Sequence, residues 1–126
     1  MLRWIVRFLT TPKGPTMTTI QEHAPIATLI NVFTVAPERA SELAELLGRV
    51  TEETMRFVPG FISANIHVST DGTRVANYAQ WQSVEAYQAM FEDPRAREHM
   101  SVAAEIATSF EPQLYTVESV HLAPNV

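Results

Sequence analysis

The dipeptide Asp71-Gly72 separates two stretches rich in β-branched and aromatic residues, FISANIHVS before it and RVANYAQWQ after it. An Asp-Gly pair in this position is the strongest short-range signal for a β-hairpin, because its residues tolerate the backbone angles of a tight turn. Pairing outward from the turn predicts four cross-strand pairs on one face: Trp81 with Ile62, Ala79 with Ala64, Asn77 with Ile66, and Val75 with Val68. This face is apolar except for Asn77, so we predict that helices cover it.

The segment before the hairpin predicts a strand and a helix. ATLINVFTV (27–35) lies between Pro25 and Pro37 and has the composition of a strand that is apolar on both faces. From Pro37 onward, apolar residues recur at helical spacing as far as Phe57. We therefore predict one helix that begins at Pro37 and is ended by the Pro59-Gly60 pair.

The segment after the hairpin predicts two helices and a last strand. Ser83 is a suitable N-cap for a short helix, and Asp93-Pro94 starts another that runs to about Phe110. QLYTVESVHLA (113–123) then alternates as a final strand. The resulting order is βαββαβ with the second helical stretch broken in two, which predicts an α+β fold of the ferredoxin-like type.

Composition excludes several classes of function. The chain has no cysteine, so disulfides, thiolate metal sites and cysteine nucleophiles are excluded, and the composition suits a reducing cytoplasm. Residues 1–16 carry three basic side chains and no acidic one, which leaves a formal charge of −8 on residues 17–126. An acidic body repels phosphate backbones, so we expect no nucleic-acid partner. No apolar run approaches the roughly 20 residues of a membrane span, so we expect no membrane partner.

The domain organisation is predicted from these same features. Residues 1–16 have neither a periodic pattern nor the small-residue cleavage site of a secretory signal. We interpret them as a non-native or disordered extension upstream of Met17; the alternative is a short amphipathic anchor. The rest of the chain divides into a leader segment (17–26), one domain (27–123) and a tail (124–126).

The second face of the predicted sheet carries both polar and apolar side chains, so it is less polar than a face that is exposed to solvent. The predicted register places Phe61 and Tyr78 of the hairpin there, and the first strand adds Ile30 and Val32. A sheet with helices on one side only would leave these side chains in water, which is unfavourable. We therefore predict a homodimer in which a second subunit covers this face.

Asn77 is predicted to lie on the helix-facing side of the sheet beside Ala64 and Ala79, whose small side chains leave room for a cavity. A buried amide without a partner costs about 1–3 kcal/mol, so Asn77 must bond to protein, water or a ligand. Both a structural bond and a ligand contact remain open on this pattern. The roles of Trp81 and Tyr87 are also open, because aromatic residues dominate cores whatever the function.

These residues resemble the antibiotic biosynthesis monooxygenase family, and in particular the anthrone oxygenases of aromatic polyketide pathways. The resemblance rests on TDGTRVANYAQWQSVEAY, TLINVFTV and PGFISANIH, and it covers roughly Thr28 to His121. It implies a dimeric ferredoxin-like α/β barrel with a pocket between sheet and helices in each subunit. It also implies that O2 oxidises a phenolic polycycle to a quinone without flavin, metal or haem.

The positions that match the family's pocket are Asn77 and Trp81 on the third strand, Tyr87 on the following helix and Asn31 on the first strand. The resemblance implies that the asparagines donate to a developing phenolate or peroxide oxygen, a role worth about 2.7–4 kcal/mol per donor. Trp81 would stack on the substrate or donate its indole N–H, and Tyr87 would bond a second oxygen or relay a proton. We expect six further side chains to contact the substrate: Phe33, Ala64, Ile66, Ala79, Phe91 and Met100.

One departure from the family pattern leaves proton transfer open. Met100 stands near the helix position where some members carry an arginine, and His99 is one residue out of register with the corresponding position of related haem-degrading enzymes. We predict His23 in the leader, His67 on the opposite face and His121 at the dimer side or surface, so none is an obvious base. No carboxylates accompany the histidines at metal-ligand spacing, and we predict neither metal nor haem.

The alternative function is that of a dimeric small-molecule-binding or stress-related protein on the same scaffold, because a fold does not by itself determine function. An oxygenase for a polycyclic aromatic requires a cavity of roughly 300–1,000 Å³ with Asn77 and Trp81 exposed to it. The binding-protein alternative is favoured if four phenylalanines fill that space: Phe33, Phe57, Phe91 and Phe110.

Overall fold

A computed structural model describes residues 17–124, so the predicted extension at 1–16 and the last two residues of the tail lie outside the described residues. Four strands form one antiparallel sheet in the order β2-β3-β1-β4: β1 (Ala27–Thr34), β2 (Phe61–Val68), β3 (Arg74–Trp81) and β4 (Ser109–Tyr115). Its helices are α1 (Ala40–Glu53), α2 (Val84–Met90) and α3 (Pro94–Ile106). The predicted α+β fold with βαββαβ order is confirmed.

The main core lies between one face of the sheet and helices α1 and α3. Leu43 of α1 and Val75 of β3 are fully buried, and they cluster with Phe33 of β1 and Ala103 of α3. The fold is thus two layers, in which the apolar stripe of each helix is buried against the same sheet face.

Helix α1 is shorter than the sequence predicts. A 3-10 turn at Pro37–Arg39 precedes it, and it ends at Glu53, where Thr54 leaves helical geometry. A second 3-10 turn, Met55–Phe57, then leaves the Phe57 ring 69% exposed. The predicted inward position of Phe57 is therefore wrong, because the tighter turn shifts its side chain out of the apolar stripe.

Helices α2 and α3 begin where the capping residues predict. The Ser83 hydroxyl accepts a hydrogen bond from the backbone N–H of Ala86 at 3.0 Å, and Asp93 Oδ1 accepts one from the N–H of Arg95 at 2.9 Å. Each cap satisfies a backbone donor that the first helical turn leaves without a partner.

The end of α3 and the start of β4 differ from the prediction. The helix ends at Ile106 and the strand occupies Ser109–Tyr115, so Phe110 is in the strand rather than at the end of the helix. Pro112 lies inside this strand, which is possible because β4 is at the edge of the sheet, where a missing N–H donor is tolerated. Residues 116–123, predicted as the rest of that strand, lie outside it.

The hairpin register is correct for three of the four predicted pairs. Val68, Ile66 and Ala64 lie opposite Val75, Asn77 and Ala79 as predicted. The fourth is wrong: a β-bulge at Ile62 places Phe61, not Ile62, opposite Trp81. One extra residue on the bulged strand reverses the alternation beyond it, so Phe61 turns to the helix-facing side and Ile62 becomes 43% exposed.

The leader segment (17–26) crosses part of the opposite face of the sheet. The Thr18 hydroxyl donates to Asn65 Oδ1 at 2.6 Å, and Gln80 Nε2 donates to the backbone oxygen of Thr19 at 2.8 Å. Gln80 is 3% exposed as a result. Farther along the same face, Ile30 and Val32 remain half-buried.

Candidate active site

A cavity of about 160 Å³ lies between the centre of the sheet and the three helices. Its walls are almost entirely apolar, with side chains from β1, β3, β4 and all three helices. The lining residues are Leu29, Asn31, Phe33, Leu47, Val50, Thr51, Met55, Asn77, Tyr87, Met90, Phe91, His99, Met100, Ala103, Phe110 and Pro112.

Two asparagines form the polar centre of this cavity. Asn31 of β1 and Asn77 of β3 are direct cross-strand partners, so their side chains project from the same face of the sheet about 5 Å apart at Cβ. Among the described residues, neither side-chain oxygen has a hydrogen-bond partner, although both Oδ1 atoms are buried. A buried acceptor without a donor costs about 1–3 kcal/mol, which a ligand that donates a hydrogen bond would recover.

Tyr87 of α2 adds a hydroxyl group to the wall. Its side chain is half-buried, and burial raises the pKa of the phenol above its ordinary value of 10.0. Because the charged form is the one that burial disfavours, the hydroxyl keeps its proton at neutral pH. Tyr87 is therefore suited to donating a hydrogen bond to a substrate oxygen and unsuited to removing a proton.

Trp81 lies outside the cavity wall, in a separate aromatic cluster at the end of β3. It is 2% exposed, and its ring meets those of Phe61 and Tyr87 edge-on at centroid distances of 5.4 and 6.1 Å. Tyr87 in turn meets Phe91 at 5.2 Å. Trp81 is therefore connected to the cavity by its contact with Tyr87, which is a lining residue.

The structure divides the six predicted substrate contacts into two groups. Phe33, Phe91 and Met100 line the cavity, whereas Ala64, Ile66 and Ala79 do not. Ala79 is packed within the sheet at 2% exposure, Ile66 packs on the main core, and Ala64 lines an open cleft beside the leader segment. The expected room beside Ala64 and Ala79 is absent from this cavity because the space opens one strand farther along the sheet, over β1 and β4.

His99 of α3 is a lining residue that the sequence reasoning missed. Its Nε2 atom lies 3.2 Å from the hydroxyl oxygen of Thr54, which is 2% exposed at the end of α1. Helical spacing could have indicated its inward position, since His99 falls between Ala96 and Ala103, both of which are buried in α3. Its partner could not be predicted, because Thr54 is 45 residues away in the sequence.

The cavity carries no formal charge from acidic or strongly basic side chains, because no aspartate, glutamate, lysine or arginine is among its lining residues. Within residues 17–124, no group of three histidine or acidic side chains is arranged to hold a metal ion. No helix in that range is both long and apolar enough to traverse a lipid bilayer. The arrangement is that of an apolar pocket with a few directed polar groups, as in sites that bind small molecules.

The sequence matches a protein-family model and a characterised relative. The model of the antibiotic biosynthesis monooxygenases matches residues 26–102. Tetracenomycin-F1 monooxygenase of Streptomyces glaucescens is 45% identical over 91 residues, which are 72% of this chain and 81% of that protein. These matches confirm the resemblance seen in the sequence.

Solved structures agree with this match. The monooxygenase ActVA-Orf6 of Streptomyces coelicolor, crystallised with nanaomycin D, is 33% identical with a TM-score of 0.68, over 79% of this chain and 92% of that one. SnoaB of Streptomyces nogalater, a cofactor-independent oxygenase, has a TM-score of 0.67 at 22% identity, over 77% of this chain and 97% of its own. The second comparison bears on the fold alone.

Proposed function

Because this chain belongs to the antibiotic biosynthesis monooxygenase family and is a monooxygenase, we propose that it uses O2 to oxidise a phenolic polycyclic substrate of the anthrone type to a quinone. No cofactor takes part in the proposed reaction, and O2 is the second substrate. The similarity to tetracenomycin-F1 monooxygenase supports a monooxygenase reaction.

The observation that carries the proposal is the pair of buried asparagine amides in an otherwise apolar cavity. An aromatic polycycle suits the apolar walls, and its phenol or carbonyl oxygens suit the amides of Asn31 and Asn77. An amide offers both an acceptor and two donors, so the same two side chains bind the neutral phenol and the phenolate that forms from it. Held in this way, the electron-rich anthrone enolate is positioned to transfer an electron to O2.

The reaction balances without an external reductant. An anthrone loses the two hydrogens of its central methylene carbon, and that carbon becomes a carbonyl by taking one oxygen atom from O2. The second oxygen atom leaves as water with those two hydrogens. The role we assign to the protein is to bind, orient and deprotonate the substrate, and Tyr87 donates a hydrogen bond to a second oxygen of the substrate.

The size of the cavity adds a requirement to this proposal. At about 160 Å³ it is smaller than the roughly 300–1,000 Å³ of typical ligand pockets. A polycycle therefore enters only if lining side chains move, and Met55, Met90 and Met100 are unbranched side chains suited to such adjustment. Phe110, which is 47% exposed on the edge strand, is a lining side chain that is open to solvent.

The test is O2 consumption by purified protein freed of metal and flavin. With dithranol or emodin anthrone, we expect uptake of one O2 per anthrone, formation of the anthraquinone and no release of hydrogen peroxide. A control without enzyme at the same pH is essential, because anthrones also oxidise slowly unaided. A rate equal to that control across several anthrones, or a requirement for added haem, flavin or iron, would rule the proposal out.

A second candidate is a binding protein on the same scaffold, favoured by the small cavity and by the exclusion of Trp81 from its wall. In that case an anthrone or its quinone binds without being turned over. Calorimetric titration under anaerobic conditions followed by exposure to O2 separates the two, since only the oxygenase then forms quinone faster than the control.

We also propose that the protein acts as a cytoplasmic homodimer. The half-buried side chains of Ile30, Val32 and Tyr78 on the second face of the sheet support a partner there, beside the part covered by the leader segment. A monomer in light scattering at micromolar concentration would contradict this assembly.

A further inference from the structure

Proton removal from the substrate needs a base, and the cavity offers few groups that could act as one. Among the described residues that line the cavity, only Tyr87 and His99 have titratable side chains. Burial keeps the Tyr87 phenol protonated at neutral pH, as described above. An imidazole is the side chain whose neutral form accepts protons most readily near neutral pH.

One ring nitrogen of His99, Nε2, is within hydrogen-bond distance of Thr54. Nε2 lies 3.2 Å from Thr54 Oγ1, and Thr54 is almost completely buried. When Nε2 carries the proton, it donates to this hydroxyl oxygen, and the lone pair of Nδ1 is left unprotonated. In that tautomer the Nδ1 lone pair can accept a proton from a ligand, because Nδ1 makes no hydrogen bond within residues 17–124.

We propose that His99 is the general base that deprotonates the substrate, and that Thr54 positions it by accepting a hydrogen bond from Nε2–H. This inference rests on the proposed function, and it supplies the proton acceptor that Met100, at the neighbouring position, does not. His99 is in this assignment a catalytic residue and Thr54 a positioning residue.

The step transfers one proton and no electrons. The C–H bond at the central carbon of the anthrone breaks, its electron pair is delocalised into the ring system and the phenolate oxygen, and the proton forms a new N–H bond at Nδ1. The resulting imidazolium lies in the same cavity as Asn31 and Asn77, which bind the oxygen that gains negative charge. After O2 adds to the carbon, the imidazolium returns the proton to the peroxide, which then loses water to give the quinone.

Anaerobic spectroscopy tests this step apart from oxidation. An ionised anthrone absorbs at longer wavelength than the neutral molecule, so binding to wild-type protein without O2 is expected to produce the band of the ionised form. We expect His99→Gln and His99→Asn to bind the anthrone with similar affinity but to leave it neutral. Two variants guard against a folding defect in one, and a thermal melt checks each.

Steady-state rates in O2 complete the test. Loss of a general base lowers the rate by roughly 100- to 10,000-fold, and we expect added imidazole to restore part of the activity of the variants. The deficit is expected to shrink with anthrones acidic enough to ionise in solution. Thr54→Val should lower the ionised fraction of bound anthrone, whereas Thr54→Ser, which keeps the hydroxyl, should restore it.

The outcomes separate this inference from the proposed function. If folded His99 variants ionise and oxidise bound anthrone as well as wild type, His99 is not the base and the proposed oxygenase function stands. If wild-type protein binds anthrone without ionising it, the inference is also overturned. If wild-type protein binds no anthrone at all, the proposed function fails and the inference fails with it.

Discussion

Asn77 and Trp81 lie four residues apart on the same face of the same strand, yet their surroundings are opposite in kind. Trp81 is surrounded by side chains, including two aromatic rings in edge-on contact. Asn77 faces a cavity, and its buried oxygen has no hydrogen-bond partner within residues 17–124. The region around Trp81 is closely packed. The region around Asn77 leaves a buried polar atom without a hydrogen bond unless a ligand provides one.

This difference between Asn77 and Trp81 shows that strand alternation determines which side chains share a face. It does not determine which of them line a cavity. At the Trp81 end, the bulge at Ile62 adds the ring of Phe61 to the same face and fills it. At the Asn77 end, the partner across the sheet is a second amide, Asn31, which packs poorly against apolar groups. We therefore predict that the first region contributes mainly to stability and the second mainly to function.

The largest expected effect is on stability, from Trp81→Ala. Removing a fully buried indole leaves a cavity in the aromatic cluster, and we expect the free energy of unfolding to fall by about 3–5 kcal/mol. Denaturation in urea measures it. Phe57→Ala is the matched control, because it removes an aromatic ring that is 69% exposed, and its cost should be much smaller. Equal costs for the two variants would show that the aromatic cluster at Trp81 contributes no more to stability than an exposed ring.

Asn77→Leu should affect activity strongly and stability little, the reverse of the effect expected for Trp81→Ala. Leucine has a similar size and removes the unsatisfied amide, so we expect the free energy of unfolding to stay unchanged or rise by about 1 kcal/mol. The rate of anthrone oxidation should fall roughly ten- to a thousandfold, as expected when a positioned polar contact is lost. Melting curves and O2 uptake on one preparation provide both numbers. A stability loss close to that of Trp81→Ala would place Asn77 in the packed region instead.

The smallest effect is expected at the turn that sets the register of both residues. Hydrogen bonds from the backbone N–H and hydroxyl of Thr73, and from the hydroxyl of Ser69, lower the pKa of Asp71 from 3.8 to about 2. A lowered pKa in the folded state stabilises the protein above pH 3.8, and this contribution disappears as the pH falls through about 2. Asp71→Asn should therefore lower the melting temperature slightly at pH 7, and the difference from wild type should shrink near pH 2. A constant difference across this range would mean that the carboxylate charge is not responsible.

Much of this fold could be predicted because its signals are local. The turn at Asp71-Gly72 predicted the pairing of Asn77 with Ile66, and the caps at Ser83 and Asp93 predicted where two helices begin. The bulge at Ile62 could not be predicted, since it depends on which side chain the helices need at that point of the face. Periodicity carries no information on such tertiary demands.

The site was only partly predictable for the same reason. Asn31, Asn77 and Tyr87 were named from their resemblance to a family pattern, and the structure brings all three to one cavity. The location of the cavity depends on side-chain volumes contributed by six different elements. The sequence therefore could not show that Phe33 and Met100 line the cavity whereas Ala64 and Ala79 do not. Whether the named residues act as expected remains a prediction for the kinetic experiments above.

The pairing of β1 with β3, rather than with its neighbour in sequence, has a consequence for how activity is acquired during folding. Asn31 and Asn77 are 46 residues apart and become adjacent only when this long-range pairing forms, whereas β2 and β3 are joined by a short turn. Closing the longer loop costs more chain entropy and tends to slow folding. Recovery of anthrone oxidation after dilution from denaturant would therefore report completion of the sheet, and a chain that has formed only its hairpin would have no polar centre with which to bind a substrate.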